Sequence, residues 1–466
     1  MAKYETLASQ IKQQIERGIW QENEKLPSLR KQAQISGYSL MTVLNAYQLL
    51  ESQGLISSRE RSGFIVTAPT RPSSMNNVQA ADAVSINDFV YEVVQASRDP
   101  HMFGLGFAYP DPTLYPRQQL NKSIGAAAQQ ISLTSAMDNF PPGNEELRKI
   151  IAKRYAARGM NISPDEIVIT AGALEALNLS LQCCIRPGDW VVIESPVFYG
   201  AMQALERLGL KVITVAVTPE NGLDIAALER AFQNYPVKAC WLMSSFQNPI
   251  GYSLSDEKKQ RIARLLETYD VALIEDDVYA ELYASSAPPL PIKHFTTNGN
   301  SMLCSSFSKS LVAGYRIGWV AAGRHCMTIQ KQQLMTTLAT SAPIQMALVD
   351  YLKSRNYESH LNQLRKKLII RKKAMAAFLK ENLQNVATIH IDDGGYFLWI
   401  ECQPQVDTID IYREALRMHI TIAPGKLFTL NNEFAHCFRL NASFELTDTR
   451  RALLSKLTRY IQKISV

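Results

Sequence analysis

Apolar positions in the first 67 residues fall first at helical and then at strand spacing. Leu7, Ile11 and Ile15 predict a helix that Gly18 can end. Pro27 and Ser28 suit the start of a second helix, because proline costs little in a first turn and serine can cap. Ser39 is the expected cap of a third, in which Val43, Ala46, Tyr47 and Leu50 share one core-facing side. Met41, Thr42 and Asn45 then face outward near its N-terminal end. Residues 55–58 and 63–66 read as short strands joined by the basic turn RERSG. From 68 to 85 the pattern vanishes: APTRPSSMNNVQAADAVS has the composition of a flexible linker.

The remainder, 86–466, repeats a different grammar. A short apolar run ends abruptly in polar or small residues, and a helical stretch follows. Ile167-Val168-Ile169-Thr170 leads into AGALEALNLSLQ, Val191-Val192-Ile193 into ESPVFYG, and Cys240-Trp241-Leu242-Met243 into SSFQNPIG. Val271-Ala272-Leu273-Ile274 leads into EDDVYAELY, and Met302-Leu303-Cys304 into SSFSKS. Strands alternating with helices imply a mainly parallel sheet covered on both faces. Ligands in such folds sit beyond the carboxyl ends of the strands, and all five polar clusters lie there. Three helices and a hairpin ahead of such a body predict a multidomain protein: a winged helix-turn-helix over 1–67, then an α/β domain over 86–466.

Composition narrows the options without choosing among them. In 466 residues, 46% apolar and 20% charged side chains are ordinary for a soluble globular protein. The net charge of +6 is mild, but the first 71 residues hold nine basic against six acidic side chains, a pointer to a polyanion partner. Seven cysteines without CxxC spacing read as thiols in a reducing compartment. Seven scattered histidines give no metal-ligand spacing. The charged, helical N-terminus does not read as a signal peptide, and no apolar run is long enough to span a membrane. The expectation is a cytoplasmic protein.

The strand-end residues make a coherent chemical list. Gly172 lets the main chain approach a ligand at a helix start, where free amides favour a phosphate. Phe198 offers an aromatic face, Asn248 an amide, Asp276 a carboxylate and Tyr279 a phenol. Lys309 offers an amine, and Ser306, Ser308 and Arg316 are phosphate donors. Pyridoxal phosphate needs this set: a lysine for its aldehyde, an aspartate for its ring nitrogen, donors for its ring oxygen, a stacking partner and a phosphate cup.

With LPSLR, S39-x-x-T42-V43, A46-Y47-x-x-L50 and the wing R-x-x-x-G-F-I-V in view, the head resembles the GntR-type DNA-binding domain. The resemblance implies a double-stranded DNA operator. It assigns Arg30, Ser39, Thr42 and the wing (Arg59, Arg61, Gly63) to phosphates, and places Met41 and Asn45 nearer the bases. Leu40 stands where that family usually has arginine, Tyr38 where it has valine, and Glu22-Asn23 where it has Pro-Gly.

T170-A-G-A-L-E-A-L, E194-S-P-V-F, N248-P, D276-D-V-Y279, S306-F-S-K309, G314-Y-R316-I-G, G394-G-Y-F-L-W and F438-R439-L-N make the body resemble fold-type I aminotransferases. Head and body together resemble a MocR-type regulator. The resemblance implies a large subdomain over about 125–340 and a smaller α+β subdomain over about 86–124 and 341–466. It implies pyridoxal phosphate as cofactor and no metal. Lys309 would form the aldimine, Asp276 would pair with the ring nitrogen, and Asn248 and Tyr279 would bind the ring oxygen. Phe198 would stack, while Ser306, Ser308, Arg316, Gly172 and the Ala173 and Leu174 amides would hold the phosphate. Arg439 would take an amino-acid carboxylate. Asp138 stands where relatives place a tyrosine for the partner subunit's phosphate.

A homodimer is implied, with two heads on two half-sites. The leading expectation is a transcription regulator that senses an amine, an amino acid or a B6 vitamer by exchange at Lys309. The alternatives are an aminotransferase that also binds DNA, and a body that has lost its cofactor.

Overall fold

A computed structural model of the chain describes residues 2–59, 63–67, 86–96, 98–99, 101–132, 134, 137–354, 356–431 and 433–465. Arg61 and the stretch 68–85 lie outside the described residues. The chain divides into two compact units, Met1–Ala83 and Val84–Val466.

In the first unit, helices Lys3–Glu16, Leu29–Ser36 and Leu40–Ser52 precede an antiparallel pair, Ile56–Arg59 and Gly63–Val66. Leu7, Ile11 and Ile15 of the first helix meet Val43, Ala46, Tyr47 and Leu50 of the third in one core. The Tyr47 hydroxyl donates to the Pro27 carbonyl at 2.9 Å, which ties the third helix to the chain entering the second. Ser28 and Ser39 both cap, accepting from the Lys31 and Thr42 amides at 3.3 and 3.2 Å. Asn23 takes φ +70°, so it fills the left-handed turn position where a glycine is usual. Its amide donates to the Val66 carbonyl at 2.9 Å, and the segment pairs with the second strand.

The second unit is built on an eight-stranded sheet. Its order is Ile167–Thr170, Gly318–Ala321, Ser301–Ser306, Ala272–Asp276, Val237–Leu242, Trp190–Ser195, Lys211–Thr218, Gly222–Leu223. The five strands from Ser301–Ser306 to Lys211–Thr218 run parallel. Gly318–Ala321 is antiparallel to both of its neighbours, so Ile167–Thr170 runs in the common direction. The carboxyl ends of all five motif-bearing strands therefore share one edge.

Both faces are covered, which is why these strands read as unbroken apolar runs. Val191 and Ile193 pack with Leu177, Leu181 and Leu205. Val192 between them packs on the other face with Leu228, Ile262 and Leu266.

A smaller antiparallel sheet follows, ordered Ala387–His390, Phe397–Cys402, Cys437–Asn441, Ala423–Pro424. Arg439 sits in its third strand, opposite Trp399 on one side and Ala423 on the other. Phe103–Gly104 pairs parallel with Ile420–Thr421. The next residues, Gly106 to Tyr109, thereby lie against this sheet: the Leu105 carbonyl accepts from the Asn441 amide at 2.7 Å, and Asn441 Nδ2 donates to the Phe107 and Tyr109 carbonyls. No helix among the described residues is long and apolar enough to cross a membrane.

Candidate functional site

Lys309 lies in the turn after strand Ser301–Ser306, where it is half-buried and lines a cavity. Its Nζ donates to the Ala108 carbonyl and lies 4.0 Å from the centre of the Tyr109 ring. Burial pushes its ammonium down to about 7, the Arg439 guanidinium adds to the fall, and Asp276 opposes it. An amine in this state is largely neutral at slightly alkaline pH and therefore nucleophilic.

Asp276 ends strand Ala272–Asp276 and is 3% exposed. Its Oδ1 accepts from the Val278 amide at 3.4 Å. Burial raises its carboxyl to about 7, against the pull of that amide and of Lys309. A buried carboxylate with so little compensation is suited to a cationic partner. Asn248 Oδ1 accepts from Arg439 Nη1 at 2.5 Å, which leaves the Nδ2 donor of the amide to face the ligand space.

Helix Ala173–Cys184 begins at Gly172, whose φ is +90°, and no side chain caps it. A Cβ on Gly172 would lie 2.4 Å from Arg316 Nη2, and one on Gly318 would lie 2.5 Å from the Gly172 carbonyl carbon. Two glycines thus let a guanidinium and a bare helix start converge. Arg316, itself at φ +52°, donates to Ser308 Oγ at 3.5 Å and to the Ala171 carbonyl at 3.3 Å. Ser306 Oγ accepts from the Ser308 amide at 3.4 Å. Amides, hydroxyls and one cation make a donor-rich cup, with the helix dipole pointing into it.

One cavity of about 190 Å³ collects these groups: Ala173, Leu174, Phe198, Asn248, Asp276, Tyr279, Ser306, Ser308, Lys309 and Arg316 all line it. Gly172 shapes the cup from behind. Arg439 opens instead on a second cavity of about 230 Å³, which shares Lys309, Tyr109, Phe198 and Tyr199 with the first. It is 1% exposed, and its guanidinium carbon lies 4.3 Å from the centre of the Phe397 ring. Its Nη2 donates to the Gly106 carbonyl at 2.6 Å, while Nε is buried without a partner.

The stretch GFAYP was missed from sequence. Its Gly106 and Ala108 carbonyls hold the two cations, and the Tyr109 ring covers the amine. Its glycine and aromatic content was the available signal. Tyr199 was also missed, although it follows Phe198 directly. Among the described residues no group of three or more metal-ligating side chains forms.

On the first unit, Arg30, Ser39, Asn45, Arg59 and Gly63 are exposed. Thr42 is half-buried, its hydroxyl 2.8 Å from Ser39 Oγ. Met41 is 66% exposed, and neighbouring Leu40 and Ile35 are 49% and 63% exposed. Met41 and Asn45 are four residues apart on one helix face. The tip of this helix is therefore apolar, with cations on either side in sequence.

Residues 112–455 match the model of the aminotransferase class I and II family, and residues 3–66 match that of the gntR family of bacterial regulatory proteins. The chain is 50% identical to YdcR of Escherichia coli K12, over 99% of this chain and 100% of that one. It is 32% identical to YjiR of the same organism, over 98% of each chain. Both are described as uncharacterized HTH-type transcriptional regulators. The kynurenine aminotransferase of Pyrococcus horikoshii, solved in complex with PMP, superposes with a TM-score of 0.74 at 24% identity, covering 84% of this chain and 97% of that one.

Proposed function

The chain belongs to the aminotransferase class I and II family and, through its gntR-family head, to the HTH-type transcriptional regulators, and from that premise we propose a regulator whose body binds pyridoxal phosphate and reads an amine, amino acid or B6 vitamer at Lys309. The observation that carries the reading is the single cavity joining a buried carboxylate, a depressed lysine and a donor-rich cup. That donor set fits the cofactor end for end. When bound, pyridoxal phosphate supplies an aldehyde carbon for which lysine and an incoming primary amine compete, and a ring nitrogen that draws electrons while protonated.

The chain's residues divide that work. Asp276 keeps a proton at the ring nitrogen. Asn248 Nδ2 and the Tyr279 hydroxyl serve the ring oxygen, and Phe198 covers a ring face. The Ala173 and Leu174 amides, Ser306, Ser308 and Arg316 hold the phosphate, with Gly172 giving them room. Lys309 Nζ would be the nucleophile toward the cofactor's aldehyde carbon and a base beside it. Arg439 receives the carboxylate of an amino-acid effector. Arg30, Ser39, Thr42, Arg59, Arg61 and Gly63 meet operator phosphates, with Met41 and Asn45 over the bases.

A homodimer is supported by the apolar surface of helix Cys326–Thr336, where Met327, Leu334 and Met335 are 61%, 46% and 77% exposed. Thr337, just beyond that helix, contacts Glu175 in the first turn of the phosphate-cup helix. Apolar exposure of this kind marks an association surface. Two heads per dimer suit an operator with two half-sites.

The test is an absorption spectrum of the purified protein with added pyridoxal phosphate, followed by an amine titration. A visible band that amines shift, and that Lys309→Ala abolishes, is expected. Absence of any band after cofactor addition contradicts the reading. Keto acid formed over repeated turnovers would mark the alternative, an aminotransferase that also binds DNA.

A further inference from the structure

The second cavity, beside Lys309, has an unusual charge inventory. Among the described residues its charged lining groups are Lys309 and Arg439, both cationic, with no aspartate or glutamate beside them. Arg439 is held by neutral groups only, the Asn248 amide oxygen and the Gly106 carbonyl, and its buried Nε has no hydrogen-bond partner. Burial lowers the tendency of this guanidinium to stay charged, so an anion beside it is favoured. Much of the rest of the wall is apolar: Val90, Val93 and Val94 from helix Ile86–Ala96, with Phe107 and Leu427, beside the Tyr109 and Tyr199 phenols.

We propose that the ligand read here is a monocarboxylic amino acid with an apolar side chain, its carboxylate on Arg439 and its side chain against Val90, Val93 and Val94. The proposal rests on the reading of Lys309 as the cofactor lysine. A dicarboxylic amino acid would set a second carboxylate against the valines, while Arg439 takes the first and Lys309 belongs to the cofactor. A diamine or lysine would set a second ammonium among the valines near the Arg439 guanidinium, with no carboxylate among the described residues of the wall. Either places an unpaired charge against a largely apolar wall, which is disfavoured. An apolar side chain instead gains from leaving water.

The same contact offers a route for the signal. Helix Ile86–Ala96 is the first described helix after the head in the chain. Its Phe89 packs edge-on to Tyr412 with ring centres 5.6 Å apart. Its Asn87 donates to Glu206 at 2.8 Å and accepts from Gln203 at 2.9 Å. Gln203 and Glu206 lie on helix Tyr199–Arg207, whose first residue lines both cavities. A side chain resting on the valines therefore bears on a helix tied to Tyr412 and to helix Tyr199–Arg207, so the residues that select the ligand would also register its presence.

The experiment uses the full-length protein. Pyridoxal phosphate is added first and the visible band recorded. Leucine, methionine and phenylalanine are then titrated against aspartate, lysine and putrescine. The apolar amino acids are expected to half-saturate at concentrations about tenfold or more below the charged ones. Val94→Asp should erase that margin and favour lysine. Val94→Ala, a milder change that keeps the fold, should weaken leucine several-fold and leave aspartate unchanged. In parallel, calorimetry with 4-methylpentanoate, which lacks the amine, reads the Arg439 and valine contacts alone. A band whose shift by aspartate or putrescine needs no more ligand than leucine overturns the proposal, as does a Val94→Ala variant with unaltered leucine affinity. Absence of any band strikes the cofactor reading instead, and binding of 4-methylpentanoate, or its failure, then decides for or against the apolar pocket.

Discussion

The two units place their candidate site side chains in different environments. In the head they face solvent: Met41 is 66% exposed, and Arg30, Asn45 and Arg59 are exposed as well. In the body the deepest are withdrawn from water, Asp276 at 3% and Arg439 at 1% exposed, while Lys309 is half-buried and Arg316 reaches the surface. Exposed groups keep their ordinary chemistry, contribute little to stability and act when a large polyanion supplies the missing surface. Buried groups have their protonation altered by the fold itself, so each residue carries two effects, one on ligand and one on stability. The difference matches the ligands. A DNA backbone brings its own charge to the surface, whereas a small cofactor must be held inside.

Substitutions in the body should produce the largest effects and should separate binding from stability. Lys309→Ala is expected to lose the visible band entirely while DNA binding by the head persists, checked by absorption and mobility shift. Asp276→Asn should weaken pyridoxal phosphate by about a hundredfold, as expected for losing a buried charge-assisted bond worth about 3 kcal/mol. The same variant should leave the cofactor-free fold as stable or more stable above pH 7. The sign follows from the raised carboxyl, about 7 in the fold against 3.8 as its ordinary value. The folded state holds that proton more tightly, so this group's contribution to stability falls as pH climbs from about 4 to 7. Thermal unfolding of both proteins across that range checks it.

The next effect concerns pH and cofactor capture. With Lys309 lowered to about 7, its neutral fraction is about one half at pH 7 and about one tenth at pH 6. The rate at which cofactor-free protein takes up pyridoxal phosphate should fall about tenfold per unit below pH 7, followed by the growth of the visible band. A rate that keeps rising steeply to pH 10 would show that burial does not tune this amine.

Head substitutions should be smaller and confined to DNA. Leu40→Arg adds a cation at the exposed tip of helix Leu40–Ser52, so affinity should rise several-fold at low salt and the salt slope should steepen by about one. Ser39→Ala removes the cap on the Thr42 amide and should cost the head about 1 kcal/mol, read by unfolding of the full-length chain at a probe in the head. The spectrum of the body should be untouched by either change.

The sequence disclosed what local spacing can encode. Apolar runs ending in polar clusters located the strand ends around Gly172, Asn248, Asp276 and Ser306, and the resemblance supplied their order. The face Val43, Ala46, Tyr47 and Leu50 was legible from its period alone. Residues 106–109 were not. Their part in the site lies in backbone carbonyls, and Ala108 meets Lys309 only after about 200 residues of intervening chain have folded. The valines of helix Ile86–Ala96 were equally silent, because an apolar helix face looks the same whether it covers a core or a ligand cavity. The protonation of Asp276 and Lys309 depends on depth of burial, which no spacing reveals. Arg61 and residues 68–85 fall outside the described residues, so the wing tip and the linker stand on sequence alone.

The central claim is that Lys309 connects a small amine to DNA affinity. Its most direct test is binding of operator DNA by the full-length protein loaded with pyridoxal phosphate, with and without leucine, in wild type and Lys309→Ala. The account predicts that leucine changes affinity or footprint in the wild type and changes neither in the variant. Identical behaviour of the two proteins, or a wild type indifferent to every amine offered, would contradict it.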